Sequence, residues 1–337
     1  MVQSLSLRTL EITHKTGTLE IAHCPLLAGP YSPVLHQVSF SGRYANCSSL
    51  LSVSLKISRS LGEYLSTVGE IRRRWNVSKH LELWFRAEDT SHRKTHLQPG
   101  IYRQRESGLR RSVDKLLEIE NDLYEEFGRC ATQLSDANSI HDEWDSYFLM
   151  QHHGAPTRLL DWSDGALISL HFAVRDKPTP PKSGSLVYVL DPYWLGELLR
   201  QHPDRKDAEE RWKKYWKKNP TGVDEGEWER LYLPSDEDDA KEPLLATPET
   251  PMLWDSPHVT RRVAAQRSRF MIFGTDPSWL VKMEKEERSR LVSITIPRGS
   301  INRITQELKD AGITESVVYP DLDGLGRELK QVWKMRR

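Results

Sequence analysis

The first part of the chain alternates apolar and polar residues in short stretches. The pattern is visible in LRTLEITH, LEIAH, VLHQVSF and LLSVSLKI, which are separated by Gly, Pro and Asn. A period of two residues is typical of half-buried β-strands. We therefore predict a small β-rich portion over residues 1–57.

Beyond residue 58 the pattern mixes helical and strand segments. Helical spacing predicts helices over 58–75, with Ser58 as N-cap, and over 109–130, and a short apolar helix over 165–174. The runs LELWF, LVYVL and LVSITI predict buried strands. Short strands with interspersed helices, without regular strand–helix alternation, favour an α+β fold for residues 58–337.

A charged segment interrupts this pattern at about residues 201–247. It contains RWKKYWKKN, GEWERLYL and the acidic stretch SDEDDAKE, which together predict a helical surface insertion. The basic aromatic piece at 211–218 could stack on single-stranded nucleic acid. We favour an amphipathic helix that rests its tryptophans on the body of the protein, because aromatic residues at helical spacing are more often core.

Composition narrows the classes of function. Lys plus Arg and Asp plus Glu both number 48, so the chain has no overall basic field for nucleic acid or an anionic membrane. Its three cysteines are too few and too irregularly spaced for a disulfide framework or a cysteine-based zinc site. Apolar stretches are too short to span a bilayer, and no secretory signal opens the sequence, so we expect a soluble cytoplasmic protein without a membrane partner.

The densest polar segment is QHHGAPTRLLDW, from Gln151 to Trp162. A buried core segment would not carry so many polar groups without a reason, so this run predicts a functional site. Its adjacent histidines, His152 and His153, point to different faces of a helix and rarely bind one metal ion together. We predict no metal site, and a metal-dependent nuclease built on them with Asp161 is our third hypothesis.

Structural roles compete with functional ones within this run and near it. Asp161 is a candidate N-cap for the following helix. Trp162 could be a core residue, because it stands beside the apolar Leu159 and Leu160. Arg86 follows the strand LELWF and could pair with Glu120 or Asp161 inside the domain. The residues alone leave these alternatives open.

Several separated segments resemble the FRG (Phe-Arg-Gly motif) domain family. They are WFRAE, LQPGIYR, the long run WDSYFLMQHHGAPTRLLDWSDGALISLHFA, RRVAAQRSRF and YPDLDGL. Two positions depart from the family pattern: Ala87 replaces the glycine after Phe-Arg, and Ser268 replaces the glycine of Gln-x-Gly-x-Phe. The resemblance covers about residues 61–332.

The family's arrangement looks like the ADP-ribosyltransferase fold, which implies a split β-sheet core with flanking helices. In that superfamily a strand ends in an Arg or His that holds NAD, and a second strand ends in a Ser/Thr turn before a helix of the form Ala-x-x-x-Phe-Ala. Here Arg86 would correspond to the Arg or His that holds NAD. The segment Asp161-Trp162-Ser163, before the predicted 165–174 helix, would correspond to the Ser/Thr turn. This likeness is an analogy between folds.

NAD is the substrate that this resemblance implies. Cleavage of nicotinamide passes through an oxocarbenium-like ribosyl cation, which needs a nearby carboxylate, and arginine guanidinium groups bind a pyrophosphate in bidentate fashion. The catalytic candidates are Arg86, Ser163, Gln266, Asp161 and Glu120. The candidates for NAD binding are Arg86, Arg103, His152, His153, Thr157, Arg158, Trp162 and Tyr147.

We therefore expect an NAD-consuming enzyme of ADP-ribosyltransferase type, either a transferase acting on a macromolecule or a glycohydrolase, with a role as a toxin or phage-defence effector. The second hypothesis is a non-catalytic module that binds a nucleotide or a protein. It is favoured by the departures at Ala87 and Ser268 and by the lack of an acidic residue at Gln266.

Overall fold

The computed structural model describes residues 56–89, 96–103, 110–131, 142–175, 184–219, 225–234, 242–254 and 260–333. The predicted β-rich portion lies outside these residues, apart from Lys56 and Ile57, and so does most of the acidic stretch, residues 235–241. The described helices and the mixed β-sheet confirm the α+β class.

Among the described residues seven strands form one sheet, and apolar side chains of its inner strands pack on layers above and below it. In chain order the strands are β1 (Lys56–Ile57), β2 (Trp84–Asp89), β3 (Leu159–Ser163), β4 (Ser185–Leu190), β5 (Met252–Trp254), β6 (Ser268–Ile272) and β7 (Leu291–Ile296). Their spatial order is β1-β7-β4-β2-β3-β6-β5. Only β1 and β7 pair in parallel among the described strands, and the other neighbours are antiparallel.

The centre of the sheet is weakly joined. Strand β2 pairs with β4 along its whole length, and β3 pairs with β6 along its whole length. Between β2 and β3, however, the register contains the single pair Phe85↔Ser163. The sheet therefore divides into two halves at this point.

Helices and 3-10 turns surround the sheet. The helices are α1 (Leu61–Arg74), α2 (Val113–Ala131), α3 (Glu143–His152), α4 (Ala166–Val174), α5 (Pro192–Gln201), α6 (Pro203–Lys218), α7 (Arg261–Ala265), α8 (Trp279–Glu284), α9 (Ile301–Asp310), α10 (Glu315–Val318) and α11 (Leu322–Val332). None of these helices combines the length and the apolar character needed to cross a membrane.

The start of α1 corrects one prediction. Ser60, not Ser58, is the N-cap, and its Oγ accepts a hydrogen bond from the Glu63 backbone N–H at 3.2 Å. The backbone N–H of Ser58 instead donates to the Thr295 carbonyl at 3.0 Å and prolongs the pairing of β1 with β7. A residue held in extended pairing cannot open the helix at the same time.

Two apolar layers lie on the opposite faces of the sheet. One contains Trp84, Leu160 and Trp162 with side chains of α5 and α8. The other contains Phe85, from the opposite face of β2, with Leu170 of α4 and side chains of α1 and α9. The period of two within the strands thus sends successive side chains to different cores.

The basic aromatic helix packs on the body of the protein. Trp212 of α6 is buried in a third cluster, with Tyr147, Phe148 and Trp228. This is the packing that the amphipathic interpretation predicts.

Candidate functional site

A cavity of about 530 Å³ opens beside the junction of β2 and β3. It is enclosed by β2, α3, β3, α4, α7 and β6. Six of the residues predicted from the sequence line it: Arg86, His152, Asp161, Trp162, Ser163 and Gln266. Thus the structure brings together residues that are up to 180 positions apart in the chain.

Arg86 joins the two halves of the sheet. Its Nε donates to Glu88 Oε1 at 2.8 Å, and its Nη1 donates to the backbone carbonyl of Asp161 at 2.6 Å. The prediction that Arg86 ends a strand was wrong, because β2 continues to Asp89 against β4. Of the two internal partners considered for Arg86, Asp161 contributes only its backbone carbonyl and Glu120 is not used, because Glu88 is the carboxylate that binds Arg86. Arg86 keeps 15% of its side chain exposed at the cavity.

Glu88 fixes two arginines at once. Its buried carboxylate accepts from Arg86, from Arg103 Nη2 at 2.8 Å and from the Leu97 backbone N–H. Burial by itself would raise the pKa of Glu88, but the Arg86 and Arg103 guanidinium groups outweigh it and hold the pKa below its ordinary value. Arg103 does not line the cavity and instead supports Arg86 through this shared carboxylate.

Asp161 presents an exposed carboxylate on the cavity side of β3. Gln151 donates to Asp161 Oδ2 at 3.0 Å, and the Thr157 hydroxyl donates to Gln151 Oε1 at 2.6 Å. The predicted capping role of Asp161 was wrong, because Gly165 occupies the N-cap of α4. The buried Thr157 therefore acts on the cavity only through Gln151.

Ser163 holds the turn between β3 and α4 against the end of α7. Its Oγ donates to the Gln266 carbonyl at 2.7 Å and accepts from the Gly165 N–H at 3.0 Å. The Gln266 side chain donates to the Val318 carbonyl at 3.2 Å. Both residues line the cavity, but these bonds give them positioning roles.

A cationic wall faces the cavity from the C-terminal part of the chain. Arg175, Arg262 and Tyr319 line it, together with His152. Burial lowers the pKa of His152, and the positive charges of Arg262 and His153 lower it further. His153, at the C-cap of α3, is exposed and lies outside the cavity.

Three residues predicted to bind NAD or to catalyse its cleavage lie in the interior instead. Arg158 and Glu120 form a fully buried ion pair, and the Tyr147 hydroxyl donates to Glu120 Oε1 at 2.6 Å. The Glu120 carboxylate raises the pKa of Arg158 against the effect of burial. None of the three lines the cavity. The Glu120 carboxylate has no exposed surface, so the surrounding protein must supply all its hydrogen-bond partners.

Most of the surface of Trp162 is buried in the core. It packs with Trp84 and Leu160, and only 3% of the residue is exposed. Its indole N–H has no hydrogen-bond partner within the described part of the chain. The side chain therefore does not present a free aromatic face to the cavity.

No group of three or more His, Cys, Asp or Glu side chains among the described residues is arranged to hold a metal ion. The chemistry available at the cavity is that of arginines, one exposed carboxylate and amide groups.

Sequence reasoning missed Asp145, Arg175, Arg262 and Tyr319 as cavity residues, and it marked Gln151 only as the first residue of the polar run. Arg262 and Tyr319 belong to the segments RRVAAQRSRF and YPDLDGL, which the FRG resemblance had already marked. That resemblance could have directed attention to them, but no pattern in either segment showed that they meet.

Comparison with known proteins agrees with the position of this site. Residues 82–182 match the model of the FRG domain. The FRG resemblance is confirmed. The matched FRG segment contains β2, β3 and α4, and thus Arg86, Asp161 and Ser163. Neither the curated proteins nor the solved structures gave a match to the chain.

Proposed function

We propose that the protein consumes NAD, as an ADP-ribosyltransferase or an NAD glycohydrolase. The observation that carries this proposal is the opening of the sheet between β2 and β3 beside a cavity lined by residues of both strands. Arg86 comes from one side, and Asp161 and Ser163, directly before α4, come from the other. This is the order of elements that the fold analogy with ADP-ribosyltransferases implies.

The cavity suits a dinucleotide. Its volume falls within the roughly 300–1,000 Å³ that is typical of ligand pockets. Arg86 has no protein acceptor at Nη2 among the described residues, so this group is available to an anion. Since Glu88 and the Asp161 carbonyl hold the guanidinium in place, a pyrophosphate would meet an already oriented donor.

Asp161 is the best placed carboxylate for the chemistry. The bond between ribose C1′ and the nicotinamide nitrogen breaks with its electron pair leaving on nicotinamide, and positive charge develops on the ribose. The exposed Asp161 carboxylate, oriented by Gln151, would stabilise that charge. A hydroxyl or amine of an acceptor, or water, then bonds to C1′ and releases a proton. Assignment of the protein as a toxin or defence effector stays a prediction.

The test is release of nicotinamide from NAD by the purified full chain, measured by chromatography. We expect Asp161→Asn to lower the rate by about 100-fold or more, the usual loss when one electrostatic contact to the transition state is removed. Arg86→Gln should weaken NAD binding. Arg73→Gln, on the exposed side of α1, is the matched control and should behave as wild type. Wild-type protein that neither releases nicotinamide nor binds NAD in calorimetry would exclude the proposal.

One observation favours a second candidate, a nucleotide-binding module without turnover. The Ser163 hydroxyl is committed to Gln266 and Gly165, and Gln266 stands where the analogy calls for a carboxylate. Such a module would show NAD-dependent thermal stabilisation that Arg86→Gln abolishes, and no nicotinamide release. Turnover that depends on Asp161 would exclude it.

A further inference from the structure

Three arginines from different parts of the chain surround the ring of Tyr319. The Cζ atoms of Arg262 and Arg327 lie 4.7 Å from the ring centroid, and that of Arg175 lies 5.4 Å from it. Arg175 also donates to the Tyr319 hydroxyl. Arg175 follows α4, Arg262 lies in α7 and Arg327 lies in α11, so the grouping arises only in the folded chain.

The three charges are not balanced equally. Arg327 donates to Glu315 Oε1 at 2.7 Å, and the other oxygen of Glu315 meets His171 Nε2 at 3.2 Å. Arg175 and Arg262 form no ion pair with any described residue. Arg327 does not line the cavity, whereas Arg175, Arg262 and Tyr319 do. Among the described residues, the two arginines of this group without a carboxylate partner are thus the two that line the cavity.

Like charges grouped around one ring repel one another, and contact with the ring offsets only part of that cost. The Asp321 carboxylate, whose charge acts on His152 and Arg327, uses Oδ1 to accept from the Gly324 N–H at 2.6 Å and cap α11. Burial is the main reason that the pKa of His152 is lowered, and the charge of Arg262 at this wall lowers it further. An anionic ligand would remove the imbalance.

We propose that Arg175, Arg262 and the Tyr319 ring form a subsite for a phosphomonoester within the cavity, separate from Arg86. Two guanidinium groups match the charge of about −2 that a phosphomonoester carries near neutral pH, and they offer it paired N–H donors. The ring holds both side chains in place before the ligand arrives, which lowers the entropic cost of binding. That the phosphate belongs to a nucleotide rests on the proposed function, whereas the charge of the subsite does not.

The test compares binding of adenosine, AMP and 2′-AMP to the full chain by calorimetry. We expect the phosphorylated nucleosides to bind at least about tenfold more tightly than adenosine, since a charge-assisted hydrogen bond contributes roughly that factor. Arg175→Gln and Arg262→Gln should each remove most of this advantage. A preference for 2′-AMP would indicate a dinucleotide with a 2′-phosphate, and a preference for AMP would indicate a terminal 5′-phosphate.

A control variant makes the assignment specific. Arg261→Gln changes the exposed neighbour of Arg262, and Arg261 does not line the cavity. This variant should keep the advantage of the phosphorylated ligands. If it loses that advantage as fully as Arg262→Gln does, or if adenosine and AMP bind wild type equally, the subsite is excluded.

Loss of folding cannot imitate these results. Arg175→Lys and Arg262→Lys keep the positive charge but not the paired donors, and they should show an intermediate loss while unfolding at the wild-type temperature. If both lysine variants bind AMP as tightly as wild type, the proposed guanidinium contacts are excluded. A phosphate advantage without nicotinamide release would refute only the proposed function, and release without this advantage would refute only the subsite.

Discussion

Arg86 and Arg158 are both arginines of the FRG segment, and both bind a buried glutamate and a backbone carbonyl, yet they occupy opposite kinds of site. Arg158 is paired with Glu120 and also donates to the carbonyls of Tyr232 at 2.7 Å and Phe273 at 3.4 Å. Its side chain is 1% exposed. Arg86 is paired with Glu88 and is 15% exposed at the cavity.

The difference lies in whether the hydrogen bonds are complete. Glu120 receives Arg158 Nε, the Arg158 backbone N–H and the Tyr147 hydroxyl, so the Arg158 network is closed to any ligand. Arg86 Nη2 has no acceptor among the described residues. Residue type and motif membership therefore do not show whether the hydrogen bonds of an arginine are complete, and only its partners in the folded chain do.

The substitution with the largest expected effect on stability removes one member of the buried pair. We expect Arg158→Met to lower the free energy of unfolding by about 3–5 kcal/mol, because it leaves the Glu120 carboxylate buried without its cation. Urea denaturation followed by circular dichroism measures the loss. The double variant Arg158→Met/Glu120→Met should recover part of it. If the double variant is as unstable as the sum of the two single ones, the pair is not energetically coupled.

We expect Glu88→Gln to lower the free energy of unfolding by a smaller amount, about 2–3 kcal/mol at neutral pH, because hydrogen bonds to a charged group contribute roughly that much. The loss is smaller than for Arg158→Met since the arginines bound to Glu88 keep some contact with solvent. The effect should depend on pH. Glu88 has a lowered pKa in the folded chain, so its contribution is complete above the ordinary value of 4.5 and is lost as the pH falls through the folded-state pKa.

The measurement is the unfolding free energy of wild type and Glu88→Gln at several pH values. The difference between them should be constant near neutrality and should narrow below pH 4.5. A gap that widens on acidification would show that the charged carboxylate is not the stabilising form.

The smallest effect on stability belongs to Arg86→Gln, about 1 kcal/mol, because Glu88 keeps Arg103 and the Leu97 N–H as partners. Compared with Arg158→Met, this variant should unfold almost as wild type does. Its defect should appear in ligand binding. Equal destabilisation by the two substitutions in denaturation would contradict the distinction between an open and a closed site.

Much of the fold and part of the site could be predicted from local patterns. Apolar runs marked β4 and β7, and the FRG resemblance placed Arg86, Asp161 and Ser163 in one region, as the cavity does. Local patterns also predicted the short apolar helix that corresponds to α4, whereas the strand-end turn before it came from the fold analogy.

The partners of the charged groups could not be predicted in this way. Glu88 pairs with Arg86 only two residues away, whereas Glu120 is bound to Arg158 in the interior. Arg175, Arg262 and Tyr319 meet across more than a hundred residues, and no periodicity encodes such a contact. Pairing of this kind is set by tertiary packing.

The position of Tyr319 has a consequence for anyone who would shorten the protein. A fragment limited to residues 82–182 would retain Arg86, Asp161 and Arg175, but not the ring on which Arg175 rests. It would also lack β4 and β6, so β2 and β3 would be left with unpaired edges that invite aggregation. The family match therefore marks where the motif lies. A fragment that keeps this sheet and the Tyr319 ring extends at least through Tyr319.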